Sequence, residues 1–133
     1  MPELPVLQLG STGPYVKLLQ MDLHGLGYNF NNFPINGVLD AKTQQAVGNY
    51  QDEFKLPRDG VVGPDTWKVL TDDVKAVQRL LNLRGYNTGY PDGWYGKTTT
   101  NAVKRFQRNN GLYQEGVVNP RTRRKLFNLI SKR

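Results

Sequence analysis

The chain has 133 residues, no cysteine, one histidine and a net charge of +7 from 18 Lys/Arg against 11 Asp/Glu. That composition excludes disulfides, thiolate metal sites and cysteine nucleophiles, and no apolar run is long enough to cross a bilayer. The charge is uneven: residues 1–71 carry five Lys/Arg against seven Asp/Glu, residues 72–133 thirteen against four. A half this basic attracts polyanions through its field, although a solvated face that aids solubility has the same composition.

Met1 to Gly10 lack the basic start and long apolar stretch of a secretory leader. A removed leader, a fragment or another export route each accommodates that. A first helix is predicted after Gly13, with Pro14 at a position where its missing N–H costs nothing. Val16, Leu19, Leu23 and Leu26 then recur at helical spacing until Gly27. A loop rich in Asn, Gly, Pro and aromatics runs from Tyr28 to Leu39. The second helix is capped by Asp40 and turns Ala46, Val47, Tyr50 and Phe54 inward. Gly63-Pro64 announces a third helix.

After a short linker at Leu70 to Asp73 the pattern returns. Asp72 and Asp73 open a helix striped by Val74, Val77 and Leu81 and stopped at Gly85. The loop Tyr86 to Tyr95, a helix with Ala102, Val103 and Phe106 inward, and a last helix after Asn119-Pro120 complete it. The predicted fold class is mostly α: two tandem three-helix copies with long interhelical loops, 7–71 and 72–130. Any strand is confined to loop pairings such as Gly60-Val61-Val62.

The two halves align at an offset of 58 positions, closing to 56 after a two-residue difference in one loop. Val16-Lys17, Gln20 and Gly27-Tyr28-Asn29 return as Val74-Lys75, Gln78 and Gly85-Tyr86-Asn87. Gly37, Thr43 and Gln51 return as Gly93, Thr99 and Gln107; Gly60, Thr66 and Leu70 return as Gly116, Thr122 and Leu126. Such a period marks a duplicated supersecondary unit. Two weak sites on one chain suit a repetitive polymer, because the second contact is intramolecular.

These residues resemble a family. Leu9-Gly10-Ser11-Thr12-Gly13-Pro14-Tyr15-Val16-Lys17-Leu18-Leu19-Gln20, Asp59-Gly60-Val61-Val62-Gly63-Pro64-Asp65-Thr66-Trp67, Pro91-Asp92-Gly93-Trp94-Tyr95-Gly96 and Ala102-Val103-Lys104-Arg105-Phe106-Gln107 look like the three-helix peptidoglycan-binding domain that accompanies the catalytic domains of wall hydrolases and phage endolysins. The resemblance covers residues 7–130 as two copies. It implies a non-catalytic module that targets a hydrolase to the bacterial wall, outside the cell, with an autonomous wall-binding subunit as the alternative. Departures fall at Asn36-Gly37-Val38-Leu39-Asp40, where the turn aromatic is missing, and at Arg123, which replaces Trp67.

A ligand of glycan and stem peptide needs aromatic platforms, side-chain amides and cations. The loop from Tyr86 through Asn87, Tyr90, Asp92 and Trp94 mixes these types. Trp94 is read as pointing outward to stack on a sugar or to pack its own loop, and Tyr95 as pointing into the core. Tyr28, Asn29, Phe30 and Asn36 are the first-copy candidates, and the second copy, whose turn motif is intact, carries the greater weight. Asp92 is foremost a turn former. Gln51 and Gln107 are suited either to bonding the adjacent loop or to a ligand amide. Arg105, with Lys104 and Arg108, is placed to meet a stem-peptide or teichoic acid charge, or to be solvated. The run Arg121, Arg123, Arg124 and Lys125, with Lys132 and Arg133 beyond, is kept as a polyanion contact.

No catalytic constellation is legible. His24 alone supplies no zinc site, and Ser11 and Ser131 lack a nucleophile elbow. None of Glu3, Glu53 and Glu115 is matched by a glutamate across the repeat, which argues against a repeated carboxylate pair for glycoside hydrolysis. No cofactor or metal is expected. Nucleic acid is the less favoured partner, because no helix-turn-helix or aromatic RNA-binding pattern accompanies the basic half. Pro57-Arg58-Asp59-Gly60-Val61 echoes the switch segment of metalloproteinase prodomains, but Asp59 stands where a zinc-ligating thiol is required. The partners that the resemblance implies are peptidoglycan, with teichoic acid beside it, and an attached or associated catalytic domain, with no membrane.

Overall fold

Residues 3–128 are described from a computed structural model of the chain. Ser131, Lys132, Arg133 and the end of the second copy at residue 130 lie outside the described residues. Among the described residues five helices follow in order: α1 (Pro14–Gly25), α2 (Ala41–Glu53), α3 (Pro64–Leu83), α4 (Lys97–Asn109) and α5 (Pro120–Phe127). Pro14, Pro64 and Pro120 each sit in a first turn. The Asp40 and Asn119 side chains accept from Thr43 N and Thr122 N, both at 2.8 Å. Two isolated antiparallel bridges, Leu7 with Val62 and Thr12 with Val38, tie loops together.

The expected third helix, linker and fourth helix are one element. No Gly or Pro interrupts Leu70 to Asp73, so the i→i−4 ladder of α3 continues for 20 residues. Trp67, Leu70, Val74, Val77 and Leu81 place one apolar stripe along both halves of it. The buried side chains of both copies form one contiguous cluster around this shared helix.

A single device closes every helix–loop–helix step. Gln20, Gln51, Gln78 and Gln107 are all essentially buried. Each side-chain Oε1 accepts from the N–H of a turn glycine: Gly37 at 2.9, Gly60 at 3.0, Gly93 at 3.0 and Gly116 at 2.9 Å. Each Nε2 donates to the carbonyl one residue later, at Val38, Val61, Trp94 and Val117 (3.0–3.1 Å). It donates again to the hydroxyl of Thr43, Thr66, Thr99 or Thr122 (3.0–3.1 Å). All four turn glycines have positive φ, from +70° to +84°, which a side chain would strain. The duplication seen in the sequence therefore contains a finer repeat, one clasp per step.

The copies are covered differently. In the first, Leu39 N donates to Ser11 O at 2.9 Å and Val62 N to Leu7 O at 2.8 Å, so the N-terminal arm covers the loops. In the second, the corresponding Tyr95 N donates to Asp22 Oδ1 at 2.7 Å and Val118 N to Gly25 O at 2.7 Å. The end of α1 thus does for the second copy what the arm does for the first. The exchange of Trp67 for Arg123 follows the same logic. Trp67 Nε1 donates to Pro5 O of the arm at 2.7 Å, while Arg123 forms a two-pronged pair with Asp73 at 2.9 and 3.1 Å.

Asp22 is fully buried, and its Oδ2 has no hydrogen-bond partner among the described residues. Burial holds its carboxyl well above the ordinary carboxylate range; the Tyr95 N–H pulls it down, and Asp92 and Asp73 push it up. The folded state therefore binds this proton more tightly than the unfolded chain. Its stabilising contribution is complete below the ordinary aspartate value and is lost as pH rises toward the raised folded value. We expect Asp22→Asn, which keeps the acceptor for Tyr95 N, to remove that loss. Urea midpoints from about pH 3 to 8 should show the variant gaining on wild type as pH rises; parallel curves would sink the assignment.

Candidate functional site

Tyr28 follows the end of α1, where Gly27 (φ +92°) lets Tyr28 N return to Leu23 O at 2.8 Å. The loop beyond is pinned from both sides. Asn29 accepts from Phe33 N at 2.7 Å, donates to Phe33 O at 3.1 Å and meets His24 Nδ1 at 3.2 Å. Asn31 donates to Lys42 O and Gln45 Oε1, both at 3.1 Å. Between these anchors Phe30 is held out, 71% exposed, against the edge of Tyr28 at 6.1 Å between ring centroids. Tyr28 in turn stands edge-on to the buried Tyr50 at 5.0 Å.

The Tyr28 and Phe30 rings form one wall of a cleft of about 280 Å³ between the copies. Leu26, Gly27, Tyr28, Phe30, Asn49 and Glu53 come from the first copy; Val118, Pro120 and Arg123 close it from the second. Asp73 fixes the Arg123 guanidinium from behind and also accepts from Tyr50 Oη at 3.2 Å, so the cation cannot swing away freely. Burial, with the nearby Glu53 charge, pushes the Tyr28 phenol up to about 12. It stays a neutral hydroxyl at any physiological pH, able to donate and accept. The cleft thus offers an aromatic face, a hydroxyl, an amide, a carboxylate and a guanidinium.

The second-copy loop is placed differently from its expectation. Asn82 accepts from Thr88 N at 2.7 Å and donates to Gly89 O at 3.0 Å, and Asn87 accepts from Gly89 N at 2.9 Å, which leaves Tyr90 86% exposed. Trp94 is not the outward ring anticipated. It is half-buried and meets Trp67 edge-on at 5.8 Å, because its carbonyl is held by Gln78 and its N–H by Asp92. Tyr95 is buried as expected. Tyr86 is half-buried against Phe106, its hydroxyl accepting from Asn109 at 2.9 Å.

Gln51 and Gln107 bond the adjacent loops, and their burial withdraws them from any ligand. Asn36 and Asp92 cap their turns at Val38 N (3.0 Å) and Trp94 N (2.9 Å). Arg105 is exposed on α4, outside the cleft lining. Sequence reasoning missed Asn49, Glu53 and Arg123 as neighbours of Tyr28 and Phe30. The one available hint was the Trp-to-Arg exchange between copies.

The chain belongs to the peptidoglycan-binding domain family: the family described as "Putative peptidoglycan binding domain" matches residues 12–70 and again 71–126. It is 28% identical to a "Probable N-acetylmuramoyl-L-alanine amidase" of Bacillus licheniformis, over 94% of this chain and 45% of that protein. It is 33% identical to the N-acetylmuramoyl-L-alanine amidase CwlM of Mycobacterium tuberculosis, over 71% of this chain and 29% of that one. The chain thus spans less than half the length of these curated relatives. The crystal structure of the SleB N-terminal domain shares 33% identity, covers 52% of this chain and 92% of its own, and superposes with a TM-score of 0.49.

Proposed function

We propose that the chain is a non-catalytic wall-binding module that concentrates a peptidoglycan hydrolase on its substrate outside the cell, and that the cleft between its copies is the principal ligand site. The observation that carries this reading is the pinned, exposed Phe30 beside Tyr28, facing Arg123 and Glu53 across one cleft. Phe30 suits the apolar face of a sugar, Arg123 a stem-peptide carboxylate, and Glu53 a stem-peptide amine. Names of the curated relatives that include amidase support the hydrolase context, with catalysis residing outside this module.

The test is cosedimentation with protein-free peptidoglycan sacculi stripped of teichoic acid. Phe30→Ala is expected to weaken binding ~10-fold, since a well-placed aromatic contact contributes on the order of 1–1.5 kcal/mol. Its thermal midpoint should stay close to wild type, because the ring is exposed. Unchanged binding in Phe30→Ala, with loss in Tyr90→Ala, would move the site to the second-copy loop.

A further inference from the structure

At the far end of the second copy lies a depression of about 580 Å³ lined by Arg84, Asn110, Leu112, Arg121, Arg124, Lys125 and Asn128. Arg121, Arg124 and Lys125 are exposed and share one face of α5 at i, i+3 and i+4 spacing. Arg84 joins them from the end of α3, its guanidinium resting on the Phe106 ring at 5.2 Å. Among the described residues none of these four cations is in an ion pair. The fourth basic residue of the α5 run, Arg123, is turned away to Asp73 and the cleft.

The carboxylates that would neutralise such a cluster are engaged elsewhere. Residues 72–133 hold only Asp72, Asp73, Asp92 and Glu115. Asp72 pairs with Lys68, Asp73 with Arg123, Asp92 accepts from Gln78 and Trp94 N, and Glu115 accepts from Asn119. Four like charges around one depression repel one another until a counter-charge enters. Among the described residues no aromatic side chain lines it. A site for single-stranded nucleic acid needs stacking platforms, and α5 is a short helix of 8 residues without the partner element of a groove reader. The lining offers four cations, two side-chain amides and one leucine.

We propose that this depression is a second binding site, separate from the cleft, for the phosphodiester groups of an anionic polyol-phosphate wall polymer. Arg121, Arg124 and Lys125 would meet the phosphates and Asn110 the polyol hydroxyls. The choice of a wall polymer over other polyanions rests on the wall-binding reading above. The glycan site and the phosphate site would then engage two components of one surface, each raising the effective concentration of the other.

The experiment titrates wild type and Arg121→Gln/Arg124→Gln with poly(glycerol phosphate) across a salt series, with Lys17→Gln/Lys42→Gln as a variant of equal charge change in the first copy. The α5 variant should bind ~10-fold more weakly at about 150 mM salt, and its log K against log salt slope should fall by about 1.5, while the control tracks wild type. All three should bind stripped sacculi equally, which separates this site from the cleft. Equal weakening by both variants, or none by either, overturns the site. Tighter binding to single-stranded DNA of matched charge than to poly(glycerol phosphate) overturns the ligand in favour of nucleic acid. Failure of wild type on stripped sacculi, with polymer binding retained, sinks the cleft reading alone. Should the α5 variant not fold, amide shifts in wild type on adding poly(glycerol phosphate) must cluster at Arg84, Asn110 and residues 121–125; shifts elsewhere overturn the proposal.

Discussion

Gly25→Ala is expected to destabilise the whole chain by about 3 kcal/mol, read as a drop in the urea midpoint with one cooperative transition retained. A Cβ at Gly25 would lie 2.3 Å from Cγ of Tyr95 and within 2.5 Å of both adjoining ring carbons. The ring has nowhere to retreat. Tyr95 Oη donates to Gly116 O at 2.6 Å and Tyr95 N to Asp22 at 2.7 Å, so the residue is held at both ends. Alanine would gain about 1 kcal/mol of helix propensity at this position, which overpacking of a pinned aromatic outweighs.

The same substitution tests whether the copies behave as one body, since the ring belongs to the second copy and the glycine to the first. Adding Tyr95→Leu, the residue type that Leu39 supplies in the first copy, should recover part of the loss and reveal strong coupling. A Gly25→Ala midpoint within error of wild type would mean that Tyr95 does not rest on α1. Two resolved transitions in the wild type would contradict the shared core along α3.

Gln107→Ala is expected to cost about 3 kcal/mol, in calorimetry a midpoint roughly 10 °C lower. The side chain is fully buried, and its loss strands the Gly116 N–H, the Val117 carbonyl and the Thr122 hydroxyl, while leaving a void. Gln107→Glu separates polarity from volume. The carboxylate still accepts from Gly116 N but opposes the Val117 carbonyl, so its pKa must rise in the folded state. That variant should therefore be relatively more stable at acid pH and lose stability as pH rises, relative to wild type at each pH. A loss below about 1 kcal/mol for the alanine variant would show the clasp to be replaceable by water.

Much of this was legible in the residues because it depends on near neighbours. Helix starts at Pro14, Pro64 and Pro120, the Asp40 cap, the stops at Gly27 and Gly85 and the inward Tyr95 all follow from local backbone chemistry or apolar spacing. The duplication was visible as identity at a fixed offset. The continuous α3 was not, since the acidic pair Asp72-Asp73 reads as a helix start; only the joint burial of both halves of its stripe makes one helix preferable. The half-buried setting of Trp94 was not legible, because its edge contact with Trp67 joins residues of different copies.

The sequence by itself determined that this protein is a tandem, mostly helical member of a wall-binding family with an acidic first half and a basic second. Those properties are written in composition, period and motif. Tertiary structure alone decided where the chemistry gathers. It brought Arg123 beside Tyr28 and Phe30, sent Gln51 and Gln107 inside, and left Arg121, Arg124 and Lys125 facing Arg84. Each of those placements is a contact between residues far apart in the chain, and its sign depends on which face of a helix meets which neighbour. Local propensity carries no information about that; packing of the two copies against one shared helix does.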